Sequence, residues 1–190
     1  MAAGSDGRSR CSWAGIESDE AYQRYHDEEW GRPVDGEAEL FERLSLEAFQ
    51  SGLSWLTILR KRESFREAFA GFDPAAVAAF DESDVARLLA DAAIVRNRLK
   101  INATIANARA LLALPAGTTL GSIIAAHAPQ LPRPAGDPVP AQTAESALLA
   151  KALKKQGFSF VGPTTAYAMM QAIGVVNDHQ PGCWLAPDPA

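Results

Sequence analysis

Three observations predict an all-α fold for this chain of 190 residues. Apolar residues recur at helical spacing in one segment after another. No stretch shows sustained period-two alternation. Small polar residues and prolines stand where helices would begin, and glycines stand where they would end. The length suits one domain, or one domain with a small second lobe. A hydrophobic content of 47% belongs to a globular chain that buries its own core without disulfides. The formal net charge of −5 excludes a global positive field, so contact with nucleic acid must rely on local clusters of Lys and Arg.

Residues 1–10 read as a flexible leader without the apolar core of a signal peptide. The ordered domain is expected over 11–184, with a tail at 185–190. No apolar run reaches the length of a membrane span. Together these features predict a cytoplasmic protein, monomeric by default, without a membrane partner.

Ser18 or Asp19 can cap a short helix that places Tyr22, Tyr25 and His26 on one face. Leu40, Phe41, Leu44 and Ala48 form the stripe of an amphipathic helix, and Glu47 points along the same stripe. A carboxylate on a buried face is costly unless paired; the alternative is a surface pair with Arg43 one turn away. Gly52 interrupts that helix and Ser54 caps the next, which opens at Trp55 and carries Arg60, Lys61 and Arg62. Trp55 reads equally as ordinary core. Three of the four tryptophans, Trp13, Trp30 and Trp55, fall in the first third of the chain.

Asp73-Pro74 begins another helix, with Pro in its first turn. Ser83 is the expected cap of a short helix ending at Ala90. After a turn at 91–95, Arg96 to Leu114 reads as a long helix with Leu99, Ile101, Ile105, Ala108 and Leu112 on its apolar side. Five prolines between 128 and 143 mark an extended loop. Ala144 to Gln156 and Thr164 to Ile173 complete the helices.

Two patterns carry chemistry. His179 and Cys183 have the spacing His-x3-Cys, and Cys11 with His26 would complete a Cys2His2 set suited to one zinc ion in a closed, structural site. On spacing alone, His-x3-Cys also arises by chance, and His26 reads equally as an ordinary helix histidine. The second pattern is two helices joined by a tight turn, about 83–114, followed by Arg96, Arg98 and Lys100. A helix N-terminus of that kind can hold a phosphate, although basic runs are also common on solvated helix faces.

Taken together, the residues resemble the 3-methyladenine DNA glycosylase I family, a zinc-containing branch of the helix-hairpin-helix glycosylases. The matching stretches are Cys11-Ser-Trp13, Tyr25-His-Asp-Glu-Glu-Trp-Gly31, Leu46-Glu47 through Gly52-Leu-Ser-Trp55, Arg96 to Lys100, Ala152 to Phe158, Phe160-Val-Gly162, and Val176-Asn-Asp-His179 with Cys183. The resemblance implies a two-lobed helical enzyme that excises 3-methyladenine from alkylated double-stranded DNA and releases it as the free base. It implies Cys11, His26, His179 and Cys183 as zinc ligands. It implies Glu47 as the lesion-binding, catalytic acid, with Tyr25 and Trp55 around the flipped base and Trp13 and Trp30 nearby. Three positions depart from the family pattern: Ala93 and Leu99 stand where glycines are frequent, and Ala168 stands where Ser is frequent. A non-catalytic, zinc-stabilised DNA-binding or lesion-sensing module is the alternative that these departures leave open.

Overall fold

The computed structural model describes residues 2–3, 6–133 and 137–186. The rest of the leader, residues 134–136 with Pro134 of the proline-rich loop, and the tail beyond 186 lie outside the described residues. Nine α-helices are described: α1 (Glu20–Glu28), α2 (Glu37–Gln50), α3 (Trp55–Ala68), α4 (Pro74–Ala78), α5 (Glu82–Ala90), α6 (Arg98–Leu112), α7 (Leu120–Ala125), α8 (Ala144–Lys155) and α9 (Pro163–Ala172). The described β-structure is a two-residue antiparallel pair, β1 (Ala2–Ala3) with β2 (Ser9–Arg10). The chain is therefore all-α in character, as its periodicity indicates.

The helix starts follow capping chemistry. Asp19 accepts from the Tyr22 amide, Ser54 from Thr57 and Asp73 from Ala75, as their positions in the sequence suggest. The cap of α5 is Asp81 rather than Ser83, because Asp81 and Asp84 form a reciprocal capping box that leaves Ser83 inside the first turn. Helix α7 has no counterpart in the sequence reading. It is only six residues long, and it is held by a Thr119–Ser122 box and by Glu37, which accepts from the Leu120 amide at 2.8 Å and the Gly121 amide at 3.2 Å.

Helix α2 lies at the centre and packs against α3, α6, α7 and α9. Its Leu40, Phe41, Leu44, Leu46 and Phe49 are buried, each burial contributing about 1.5–3 kcal/mol. A ring of Phe49, Phe65, Phe69 and Phe72 continues this core beneath α3. Helix α6 buries Ile101, Ile105 and Ala108 as expected but is rotated at the edges of that face. Leu99 and Leu112 are 68% and 58% exposed, whereas Lys100, Ile101, Thr104, Ile105, Ala108 and Leu111 are buried. The helix begins at Arg98, two residues later than read, with Asn97 as its cap.

Close backbone approach fixes how α1 meets α9. Gly174 has φ +74°, and a Cβ there would stand 2.6 Å from the Gly31 carbonyl oxygen. The Gly31 amide in turn donates to the Ala172 carbonyl at 3.2 Å. This contact brings the end of α1 against the segment that carries Asp178 and His179.

Candidate active site and metal centre

Helices α1, α2, α3 and α9 and the segment after α9 enclose a cleft of about 340 Å³. Its aromatic wall contains Trp13, Tyr22, Tyr25, Trp30 and Trp55, and its polar lining includes Glu47, Gln50, Gln171 and Gln180. Tyr25, Glu47, Trp55, Trp13 and Trp30, the residues that the family resemblance implies around a base, all line this cleft. Tyr25 and Trp55 pack at 5.1 Å between ring centroids, and Trp13 and Trp30 meet edge to face at 4.8 Å.

Glu47 is 6% exposed. Burial pushes its carboxyl up to about 8, and only the charge of Arg43 works against that. Arg43 does not pair with it. The guanidinium turns instead to Glu29, which also holds Arg62, at 2.8 and 2.6 Å. The carboxyl of Glu47 finds no hydrogen-bond donor among the described residues. The indole N–H of Trp55 is likewise buried without an acceptor. Arg43 Nη1 and Ser45 Oγ are buried without partners as well; of these residues Glu47 and Trp55 line the cleft, where a carboxyl without a donor is a group that a polar ligand would complete.

Beside the cleft, Cys11, His26, His179 and Cys183 are all buried, with their ligand atoms within 4.8 Å of one another. Cys183 Sγ lies 3.5 Å from His26 Nε2 and 3.6 Å from His179 Nδ1, and Cys11 Sγ lies 3.6 Å from His179 Nδ1. A tetrahedral ion bonded to sulfur at about 2.3 Å and to nitrogen at about 2.0 Å sets sulfur–nitrogen separations of about 3.5 Å. The donor set fits such an ion. Burial, then the neighbouring His26, pushes His179 down to about 4, which keeps it in the neutral form that ligates. His26 Nδ1 lies 2.8 Å from the Asp27 carboxylate, which also accepts from Arg10 and from the Trp184 indole N–H. That carboxylate orients the imidazole. Arg10, read as leader, is thus 3% exposed and tied into the metal centre's surroundings. Trp13 packs on His26 at 4.9 Å and Trp30 on His179 at 4.7 Å, so the metal centre and the cleft share a wall.

The family model for methyladenine glycosylases matches residues 13–186. The chain belongs to that family. It is 47% identical over 184 residues to DNA-3-methyladenine glycosylase 1 of Escherichia coli strain K12, covering 94% of this chain and 97% of that protein. The crystal structure of a 3-methyladenine DNA glycosylase I superposes with a TM-score of 0.88 at 46% identity, covering 94% of this chain and all of that one. A tyrosine-to-phenylalanine variant of a 3-methyladenine DNA glycosylase I, solved in complex with 3-methyladenine, gives a TM-score of 0.83 at 31% identity over 91% of this chain and 96% of that one.

The positions where this glycosylase-family chain departs from the family pattern are accommodated. Ala93 is absent from the residues with positive φ, so its turn carries no strain from the missing glycine. Its amide donates to Asp91 at 2.8 Å, and Lys61 caps the carbonyls of Ala92 and Ala93 at 3.2 and 2.9 Å. Leu99 points to solvent, and Ala168 lines the cleft.

The three basic residues assigned to phosphate differ in availability. Arg96 is exposed, and Arg98 is half exposed in an ion pair with Glu82 at 2.5 Å. Lys100 is 6% exposed, and its ammonium donates to the carbonyls of Phe49 at 2.8 Å and Ser51 at 2.6 Å. It closes the C-terminal end of α2 from inside, so the expectation that it grips DNA is corrected. Lys100→Met should lower stability by about 2 kcal/mol in urea unfolding, because two buried carbonyls lose their donor. The same change should leave the salt slope of DNA binding untouched, whereas Arg96→Ala should reduce that slope by about one.

The sequence reading gave no role to four polar residues of the site. Gln50, Gln171 and Gln180 line the cleft, as does Asp178. Asp178 is 3% exposed and accepts from Tyr167, Gln171 and Arg133 at 2.6, 2.8 and 2.8 Å. Asp178 sits inside the Asn-Asp-His stretch that carries the family resemblance, next to His179 of the Cys/His cluster. Nothing in the proline-rich loop marked Arg133 as its partner.

Proposed function

We propose that this chain is a base-excision glycosylase that hydrolyses the N-glycosidic bond of 3-methyladenine in alkylated double-stranded DNA, releasing the free base. The observation that carries this reading is the buried, unpartnered Glu47 beside Trp55 in a cleft large enough for one purine. The names of the relatives point the same way.

Methylation at N3 leaves the nucleoside's purine positively charged and its glycosidic bond weakened, since the base departs neutral. The protein's work is then to extrude the nucleotide, recognise the cation and admit water to the sugar carbon. Trp55 stacks on the base and Tyr25 adds a polar contact. Glu47 supplies the negative charge: an approaching cation favours the ionised form, the acid releases its proton to solvent, and the carboxylate accepts from the base edge. Once the bond breaks, the base is neutral and that attraction falls, which favours release. Trp13 and Trp30 form the adjoining wall. The helices α5 and α6 with their turn act as the hairpin over DNA, and Arg96 and Arg98 meet phosphates without reading sequence.

Cys11, His26, His179 and Cys183 would hold one zinc ion, which fits two thiolates and two imidazoles. With four protein ligands the ion's contribution is structural, tying the segment before α1 to the one after α9.

Stacking of a base on an aromatic side chain is worth about 1–3 kcal/mol without any charge on the base. Trp55→Ala should therefore weaken binding of free 3-methyladenine about thirtyfold by calorimetry. An unchanged affinity would remove the stacking role. The function itself is tested by incubating the protein with methylated duplex DNA and separating released bases by chromatography. Free 3-methyladenine is expected; binding of the duplex with no release would favour a lesion-sensing module instead.

A further inference from the structure

Within the cleft, the side chain of Gln171 is fixed in one sense. Its Nε2 lies 2.8 Å from Asp178 Oδ2. A carboxylate only accepts, so the atom facing it must be the amide nitrogen, and the amide cannot turn over without setting oxygen against oxygen. Asp178 is itself locked, with Tyr167 donating to Oδ2 at 2.6 Å and Arg133 donating to Oδ1 at 2.8 Å. The other end of the amide, Gln171 Oε1, receives no hydrogen bond from a described residue, and Gln171 lines the cleft that holds Glu47. With a cationic purine bound, two of the groups lining the cleft are therefore acceptors: the Glu47 carboxyl, once its proton has left, and a carbonyl oxygen that cannot become a donor.

We propose that Gln171, positioned by Asp178, is a specificity-determining residue that selects a purine carrying an amino group at C6 over one carrying a carbonyl there. The inference rests on the glycosylase reading above and names what that site distinguishes. An exocyclic amino group has two hydrogens, one for Glu47 and one for Gln171 Oε1. A 6-oxo purine seated in the same orientation would turn an oxygen toward these two acceptors and leave a desolvated carbonyl without a donor from either. Asp178 and Arg133 act only through the orientation they impose. Arg133 comes from the proline-rich loop, so that loop contributes to specificity from a distance.

The test compares release of 3-methyladenine and 3-methylguanine from the same methylated duplex by the wild-type protein, Gln171→Met and Asp178→Asn. Gln171→Met keeps the bulk and removes the acceptor. The ratio of 3-methyladenine to 3-methylguanine release should fall about tenfold. In Asp178→Asn the new amide can donate to Gln171 Oε1, so the glutamine can turn over and present Nε2 to the cleft. Here the ratio should fall while release of 3-methylguanine is kept or rises, a result that a merely structural role would not give. An unchanged ratio in Gln171→Met, or an equal loss of both activities, overturns the proposal. Gln171→Met decides the matter alone if Asp178→Asn fails to fold. No base release by the wild-type protein would instead count against the glycosylase reading itself.

Discussion

Glu47→Gln is expected to keep the fold and to lose about a hundredfold or more of 3-methyladenine release, the usual scale for removing one electrostatic contact to a charge in a desolvated site. The reason is specific to this cleft. Burial alone holds the carboxyl near 8, and the nearest guanidinium, Arg43, is committed to Glu29. Among the described residues Arg43 is the one positive charge that acts on Glu47, and it does not bond to the carboxyl, so a cationic ligand would add the direct partner the acid lacks. The apparent kcat/KM should rise with pH and level off above about 8, where the empty site already holds a carboxylate; the Gln variant should lose that dependence. Stability should move the other way. With a folded value near 8 against 4.5 unfolded, the native state binds more protons than the unfolded state in this window. Stability from this group is complete below 4.5 and declines as pH rises toward 8. At pH 9 the Gln variant should be more stable than the wild type by an amount on the order of a few kcal/mol, and so melt higher. Equal melting temperatures would mean that Glu47 is solvated.

The second large effect is expected at the metal centre. Cys183→Ser should abolish stoichiometric zinc, measured by elemental analysis of the purified protein, and lower Tm by about 10 °C or more. Four donors within 4.8 Å of one another have little other reason to be buried together. They join residues more than 150 positions apart, as in the 3.5 Å approach of Cys183 to His26. Because Trp13 and Trp30 pack on the two histidines, release of free base should fall together with the metal. Zinc content unchanged in the variant would defeat the four-ligand assignment.

The helices were legible in the sequence wherever a cap and an apolar stripe agreed. The stripe of α2 with Glu47 on it, Ser54 opening α3 and Asp73-Pro74 opening α4 are instances. Reading failed where one interaction had two local solutions. Asp81 and Ser83 are both good caps, and only the reciprocal bond from Asp84 decides between them. On α6, Ile101, Ile105 and Ala108 are buried as their spacing indicates, but Leu99 and Leu112 face out and Lys100 and Thr104 share the buried face, their polar atoms satisfied by carbonyls of Phe49, Ser51 and Lys100. Periodicity in hydrophobicity cannot report a lysine buried for its hydrogen bonds. The same limit hid the chain Arg133–Asp178–Gln171, which joins a loop, a turn and a helix that no local pattern relates.

The most direct measurement is the NMR titration of the Glu47 side-chain carboxyl carbon in the ligand-free protein, assigned by its disappearance in Glu47→Gln. A midpoint near 8 is predicted, falling to lower pH when a cationic purine occupies the cleft. A midpoint near 4.5, unmoved by such a ligand, would contradict the account.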